Sequence, residues 1–165
     1  IVVDSRSDAT PPPRLFDPCC GSGTNLWAAA SRGGSVAGSD RDATKADGCR
    51  RNLEHAGVAF DDIGVRDASR DALPAAPDAD CAVLNLPWGE KVRQTHGEND
   101  RILANVAAHL RSGTPVACLA TDGDGRDWGR LGYELERAAD VTPGTSKRGK
   151  ASFDGAATCY LLRVR

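Results

Sequence analysis

The chain has 165 residues, 23 acidic against 21 basic side chains and a formal net charge of −2, with a pI of about 5.9. That length is most simply one domain with a sizeable core, and the balance excludes a uniformly basic nucleic-acid binder, leaving local patches for any phosphate contact. No apolar run is long enough to span a membrane and no basic-then-apolar signal segment opens the chain, so no membrane association is expected.

In chain order, Leu15-Phe16 is a short apolar stub before Asp17, followed by the glycine-rich turn Cys20-Gly21-Ser22-Gly23. Residues Thr24 to Ser31 have the composition of a helix, with Thr24 or Ser22 expected as its cap and Gly33-Gly34 as its stop. Ser35 to Ser39 reads as a second strand ending at Asp40, and Ala43 to His55 as a charged amphipathic helix stopped by Gly57. Ile63 to Val65 is a third strand leading into Asp67, and Ala82 to Leu84 a fourth ending at Asn85. Between them the Ala/Asp-rich segment Asp71 to Asp80 reads as a loop, as does the Pro11-Pro12-Pro13 run. Arg101 to Leu110 has helical spacing through Ile102, Val106 and Leu110 and is closed by Gly113. Val116 to Ala120 is a fifth strand, and Tyr133 to Val141 with Thr158 to Val164 forms a hairpin around a polar loop. Strand–helix alternation followed by a hairpin predicts an α/β protein: a mostly parallel twisted sheet with an antiparallel C-terminal pair at one edge.

Six cysteines occur without a C-x-x-C pair, and adjacent Cys19-Cys20 suit neither a zinc knuckle nor an easy disulfide. Cys81, Cys118 and Cys159 lie in apolar strand contexts where a thiol acts as a small hydrophobe, so a reducing, cytoplasmic setting is expected. His55, His96 and His109 are scattered without metal-ligand spacing, and no metal is expected. The sequence contains no methionine, even at position 1, and residues 1–14 are expected to be an N-terminal segment left from a longer region, with 15–165 as the folded domain.

In open α/β sheets ligands sit beyond the carboxyl ends of the strands. Here the first three strand ends carry Asp17, Asp40 and Asp67, and the fourth carries Asn85. Gly21 and Gly23 allow close backbone approach to a ligand, and the following helix start attracts a carboxylate or phosphate. Asp40 stands where a ribose-diol acceptor belongs, which fits a dinucleotide or another adenosine cofactor; Leu26 replaces the third glycine of a dinucleotide fingerprint. Each of these residues taken singly is equally an ordinary turn or cap. The run Cys81 to Gly89 adds an amide, a proline and an aromatic at one strand end, and Asn85 with Trp88 could hold a planar amine.

The motif Asp17-Pro18-Cys19-Cys20-Gly21-Ser22-Gly23-Thr24, followed by Asn85-Leu86-Pro87-Trp88-Gly89, resembles the signatures of class I S-adenosylmethionine-dependent N-methyltransferases. The nearest likeness is to the catalytic domain of THUMP-type RNA guanine-N2 methyltransferases, over about Leu15 to Gly125. The resemblance implies a Rossmann-like methyltransferase fold and S-adenosylmethionine as cofactor. It implies that Asp17, Gly21 and Gly23, within a motif that also carries Cys19 and Thr24, line the methionine end, and that Asp40 accepts from the ribose hydroxyls. Asp67 with the Ala68 backbone would face the adenine amino group. In the acceptor corner of Asn85, Leu86, Pro87 and Trp88, Asn85 would also border the cofactor, its side-chain oxygen and the Leu86 carbonyl would take the amine's N–H bonds, and Trp88 would stack on its ring. This chain departs from the family in Leu86, where proline is usual, and in Trp88, where Tyr or Phe is usual.

The chemistry implied is in-line methyl transfer to a poorly nucleophilic exocyclic amine, driven by positioning and preorganised acceptors rather than strong base catalysis. Lys91, Arg93, Lys147, Arg148 and Lys150 form two local basic clusters that could meet phosphates. Each cluster is equally read as a solvated charged loop, and it is the resemblance that implies RNA as the partner. The alternatives are a small planar amine or nucleoside-like metabolite, then DNA, then a non-catalytic cofactor-binding partner of another subunit.

Overall fold

A computed structural model describes residues 12–87, 97–120, 125–141 and 157–165. Seven strands form one sheet: β1 (Arg14–Asp17), β2 (Ser35–Asp40), β3 (Asp62–Val65), β4 (Cys81–Asn85), β5 (Pro115–Ala120), β6 (Tyr133–Val141) and β7 (Ala157–Val164), in the order β3-β2-β1-β4-β5-β7-β6. The first five run parallel, and β7 enters antiparallel between β5 and β6. The expected mixed sheet with a C-terminal antiparallel pair is what forms. Three helices accompany it: α1 (Thr24–Ala30), α2 (Ala43–His55) and α3 (Glu98–His109).

Strand alternation divides the interior into two cores. Leu15, Val36 and Cys81 point to one face, where they meet Leu26 of α1 and Cys49 and Leu53 of α2. Their chain neighbours Phe16, Ala37 and Ala82 point to the other, where they meet Leu103 and Val106 of α3 and Tyr133, Tyr160 and Leu162 of the antiparallel strands. A period of two along each strand produces this split, because successive side chains leave opposite faces. In α2 the buried positions Ala46, Cys49 and Leu53 recur at helical spacing, the Asp42 side chain accepts from the Thr44 N–H at 2.8 Å, and the chain turns off through Gly57.

Three local expectations are corrected. The cap of α1 is Gly23 rather than Ser22 or Thr24; it has φ 90° and makes no side-chain cap bond, since the chain turns there through a left-handed conformation that only glycine adopts freely. Helix α3 begins at Glu98, three residues before Arg101; its first two residues are polar yet buried, with Glu98 5 % and Asn99 6 % exposed, so apolar spacing does not mark its start. The Asp71 to Asp80 segment contains a 3-10 turn, Ala76–Asp78, whose Ala76 is fully buried.

Gly38, in the middle of β2, sets how closely the loop after β1 can cross the sheet. A Cβ there would lie 2.8 Å from the Asp17 carbonyl oxygen and 2.9 Å from the Leu26 side chain. We therefore expect Gly38→Ala to lower stability by about 1–3 kcal/mol, the usual cost of overpacking a closed site. Denaturant unfolding checks this, and an unchanged midpoint would contradict it.

Candidate active site

The sheet order places β1 between β2 and β4, so the direction of winding reverses at the β1–β4 boundary. Ligand crevices form at such a switch point because the flanking loops diverge to opposite faces. A cavity of about 410 Å³ opens there, lined from β1 by Pro18, Cys19 and Gly21, and from β2 by Asp40 and Asp42. Asp67 and Ala68 line it from β3, and Asn85, Leu86 and Pro87 from β4. Its volume lies within the range of small-molecule and cofactor sites.

Asp40 ties two of these loops together. One carboxylate oxygen accepts from the Gly21 N–H at 2.9 Å and the other from the Asp42 N–H at 2.9 Å. Each carboxylate oxygen has a further lone pair, so Asp40 keeps acceptor capacity for a ligand. Gly21 itself has φ 53°, and a Cβ built on it would meet no protein atom within 4 Å. The backbone there fronts open cavity rather than packed protein, which suits close approach of a ligand.

Asp17 is placed differently. Its carboxylate is 1 % exposed and accepts from the Cys19 N–H and from the Asn25 side-chain amide, both at 3.0 Å. It braces the turn from behind and does not line the cavity. Burial pushes its pKa up to about 6 against the ordinary 3.8, opposed by the Asn25 and Cys19 bonds and assisted by the nearby charge of Asp40. Gly23 and Thr24 also lie outside the cavity wall. A Cβ on Gly23 would lie 2.7 Å from the Cys49 sulfur, so that glycine serves the packing of α1 on α2. Cys19 does line the cavity, and burial followed by the charges of Asp17 and Asp40 drives its thiol pKa well up. Both effects favour the neutral thiol at Cys19.

On the far side of the crevice, Asp67 is fixed by its own turn. Burial raises its pKa, but the Ser69 hydroxyl at 2.7 Å, the Ser69 N–H at 3.0 Å and the positive Arg70 outweigh this and leave it lowered. Asn85 closes β4, and the Leu86 N–H donates to the Leu119 carbonyl at 3.1 Å, which fixes the peptide plane at the corner. Asn85, Leu86 and Pro87 therefore share one cavity with Gly21, Asp40 and Asp67. Trp88, Lys91, Arg93, Lys147, Arg148 and Lys150 lie outside the described residues.

Helix α3 supplies residues that sequence reasoning missed. Glu98, Ile102 and Asn105 fall at i, i+4 and i+7, on one face. Glu98 forms an ion pair with Arg41, next in sequence to Asp40, and both line the cavity with Ile102 and Lys45. Asn105 donates both its amide hydrogens to the loop after β3, to the Ala68 carbonyl at 3.0 Å and the Asp71 carbonyl at 2.9 Å. Adjacency to Asp40 was a usable signal for Arg41; nothing in the local sequence marked Glu98 or Asn105. Among the described residues the lining carries four carboxylates (Asp40, Asp42, Asp67, Glu98) against two cations (Arg41, Lys45), a field suited to a cationic ligand. Among the described residues no group of three or more His, Cys, Asp or Glu could hold a metal, and no helix is long and apolar enough to cross a membrane.

A mostly parallel sheet with a reversed last strand and a cofactor-sized cavity over the β1–β4 boundary defines the class I, Rossmann-like methyltransferase fold. The UPF0020 family profile, described as the RMKL-like methyltransferase domain, matches residues 3–123, and the chain belongs to that family. It is a methyltransferase of the S-adenosylmethionine-dependent class whose fold it shares. No curated protein matches it significantly in sequence. Similar solved structures include TrmN from Thermus thermophilus, at 24 % identity and TM-score 0.67 over 96 % of this chain and 46 % of that one. Another is the T. thermophilus 16S rRNA N2 G1207 methyltransferase RsmC, solved with AdoMet and guanosine, at 15 % identity and TM-score 0.63 over 93 % and 37 %. A TehB-like S-adenosylmethionine-dependent methyltransferase from Corynebacterium glutamicum matches at 21 % identity and TM-score 0.63, over 95 % of this chain and 82 % of that one. The chain spans less than half the length of the first two.

The raised pKa of Asp17 has a definite sign. The folded state holds this proton more tightly than the unfolded state, so the group imposes no penalty below about pH 4, and stability falls as pH rises through about 6. The full penalty above that range is on the order of 3 kcal/mol. Asp17→Asn should therefore gain stability relative to the wild type as pH rises from about 4 to about 7. Paired melting curves across that range check it, and a pH-independent difference between the two proteins would refute the buried-charge account.

Proposed function

We propose that this methyltransferase transfers its methyl group to nitrogen, with the exocyclic amine of guanine in RNA (tRNA or rRNA) as acceptor. The observation that carries this reading is the opening of the Asn85-Leu86-Pro87 corner into the cavity lined by Gly21, Asp40 and Asp67. Donor and acceptor would meet across one crevice. The cavity suits the cofactor on three counts: acidic lining for a cation, a volume of about 410 Å³, and Gly21 facing open space.

When bound, S-adenosylmethionine supplies an electrophilic methyl group on a sulfonium. Asp40 would accept from its ribose hydroxyls, Gly21 and Cys19 would border its methionine end, and Asp67 with Ala68 would border adenine. The Asn85 side-chain oxygen and the Leu86 carbonyl would each accept an N–H of the target amine. An aromatic amine has its lone pair delocalised into the ring; two acceptors drawing on its N–H bonds favour a pyramidal nitrogen and direct the lone pair at the methyl carbon. That is positioning with preorganised acceptors, and the surplus proton passes to water after transfer. Trp88 would stack on the base, which must be unstacked or flipped to enter, and Lys91, Arg93, Lys147, Arg148 and Lys150 would meet phosphates.

Residues 15–165 would form the catalytic domain. Free thiols at all six cysteines support a reducing, cytoplasmic setting. The acidic cavity lining and net charge of −2 favour a second reading, a small planar amine or nucleoside as acceptor.

Transfer from labelled S-adenosylmethionine into separate RNA, DNA and small-molecule pools distinguishes these readings, followed by nuclease digestion to identify the methylated nucleoside. N2-methylguanosine from RNA, at a rate falling steeply with salt, is the expected result. Turnover of free nucleosides with a flat salt response would overturn it. Asn85→Ala should lower kcat by about 100-fold or more, on the scale of losing one preorganised polar contact. It should leave cofactor affinity within about twofold; a comparable loss of that affinity would place Asn85 on the cofactor instead.

A further inference from the structure

The Arg41–Glu98 pair is a charged structure in the cavity wall that substrate positioning as described does not use. Glu98 is 5 % exposed, whereas the Arg41 side chain is 41 % exposed. The carboxylate is thus the buried member of the pair and the Arg41 side chain the more exposed one. Both line the same cavity as Pro18, Cys19 and Asp67. Arg41 lies close enough for its positive charge to act on both Cys19 and Asp67, which stand on different sides of the crevice.

We propose that Glu98 is a positioning residue for the cofactor: by holding Arg41 in the cavity wall and neutralising it there, Glu98 sets the preference for the sulfonium donor over its thioether product. The inference rests on the reading of this cavity as the cofactor site. Donor and product differ by one methyl group and one positive charge at sulfur, because the sulfur keeps the electron pair of the broken S–C bond. Taking the Glu98 carboxylate away removes one negative charge from the wall and would therefore disfavour the donor and leave the product almost untouched. With Glu98 in place, the remaining carboxylates outnumber the cations among the described lining residues and favour the charged form. A glutamate in the first turn of α3 also interacts well with the helix N-terminus, but that local role would not discriminate between the two ligands.

The test is equilibrium titration of S-adenosylmethionine and S-adenosylhomocysteine against the wild type, Glu98→Gln, Arg41→Gln and the double variant, with circular dichroism to confirm folding. Glu98→Gln should weaken the donor about tenfold and the product by less than about threefold, the order expected for removing one charge from a partly solvated site. Arg41→Gln should move the ratio in the opposite direction, and the double variant should return it to the wild-type value. Arg41 is exposed enough that its variant is expected to fold, so the sign of its shift decides the matter if Glu98→Gln does not fold. Equal weakening of both ligands by Glu98→Gln, an unmoved ratio in Arg41→Gln, or no restoration in the double variant would overturn the proposal. Asp40→Ala serves as the separate control: undiminished binding of both ligands would overturn the placement of the cofactor in this cavity, whatever Glu98 does.

Discussion

The carboxylate of Asp40 is the joint on which the site depends. Its two oxygens hold N–H groups from two different loops, Gly21 after β1 and Asp42 after β2. Charge-assisted bonds of this kind are stronger than neutral ones and resist the loops' tendency to collapse into a cavity their own backbone could fill. The same group that would receive the ribose therefore keeps open the space for the ligand. Gly38 permits the arrangement by letting the Asp17 carbonyl come close over the strand. Asp17 completes it from below, using its carboxylate on the turn rather than on a ligand.

Around this joint, α3 acts as a second organiser. Through Glu98 it reaches the segment after β2, and through Asn105 the segment after β3. Its third residue on that face, Ile102, gives the cavity an apolar wall. One helix thereby braces two loops that β2–β3 pairing already sets side by side. Such convergent support is what holds a polar site to narrow geometric tolerances.

Much of the architecture was legible in the chain. Val36-Ala37 and Cys81-Ala82 present alternate residues to two separate cores, and glycines stop the helices, so the strands and α2 could be bounded to within a residue or two. The strand-end series Asp17, Asp40, Asp67 and Asn85 could be read for the same reason: strand ends are where a parallel sheet gathers its ligands. The direction of each side chain was not legible. Asp17 and Asp40 look alike in sequence, yet one is enclosed in the turn and the other opens on the cavity. Glu98 and Asn105 escaped notice because hydrophobic periodicity registers apolar burial only. A polar residue tied to partners more than thirty positions away leaves no local trace.

The sheet also ends in a way that bears on the molecule's behaviour in a crowded solution. At one end stands β6, its residues exposed from Glu134 to Asp140 and carrying Glu134, Glu136, Arg137 and Asp140, with a register shift between Leu135 and Arg137. No described strand pairs with its outer side. Charge and irregularity on an end strand discourage it from templating another chain, a hazard for any sheet that does not close on itself. Since β5 and β7 separate this edge from the β4 corner, it can change in the course of evolution to suit colloidal stability without disturbing the catalytic crevice.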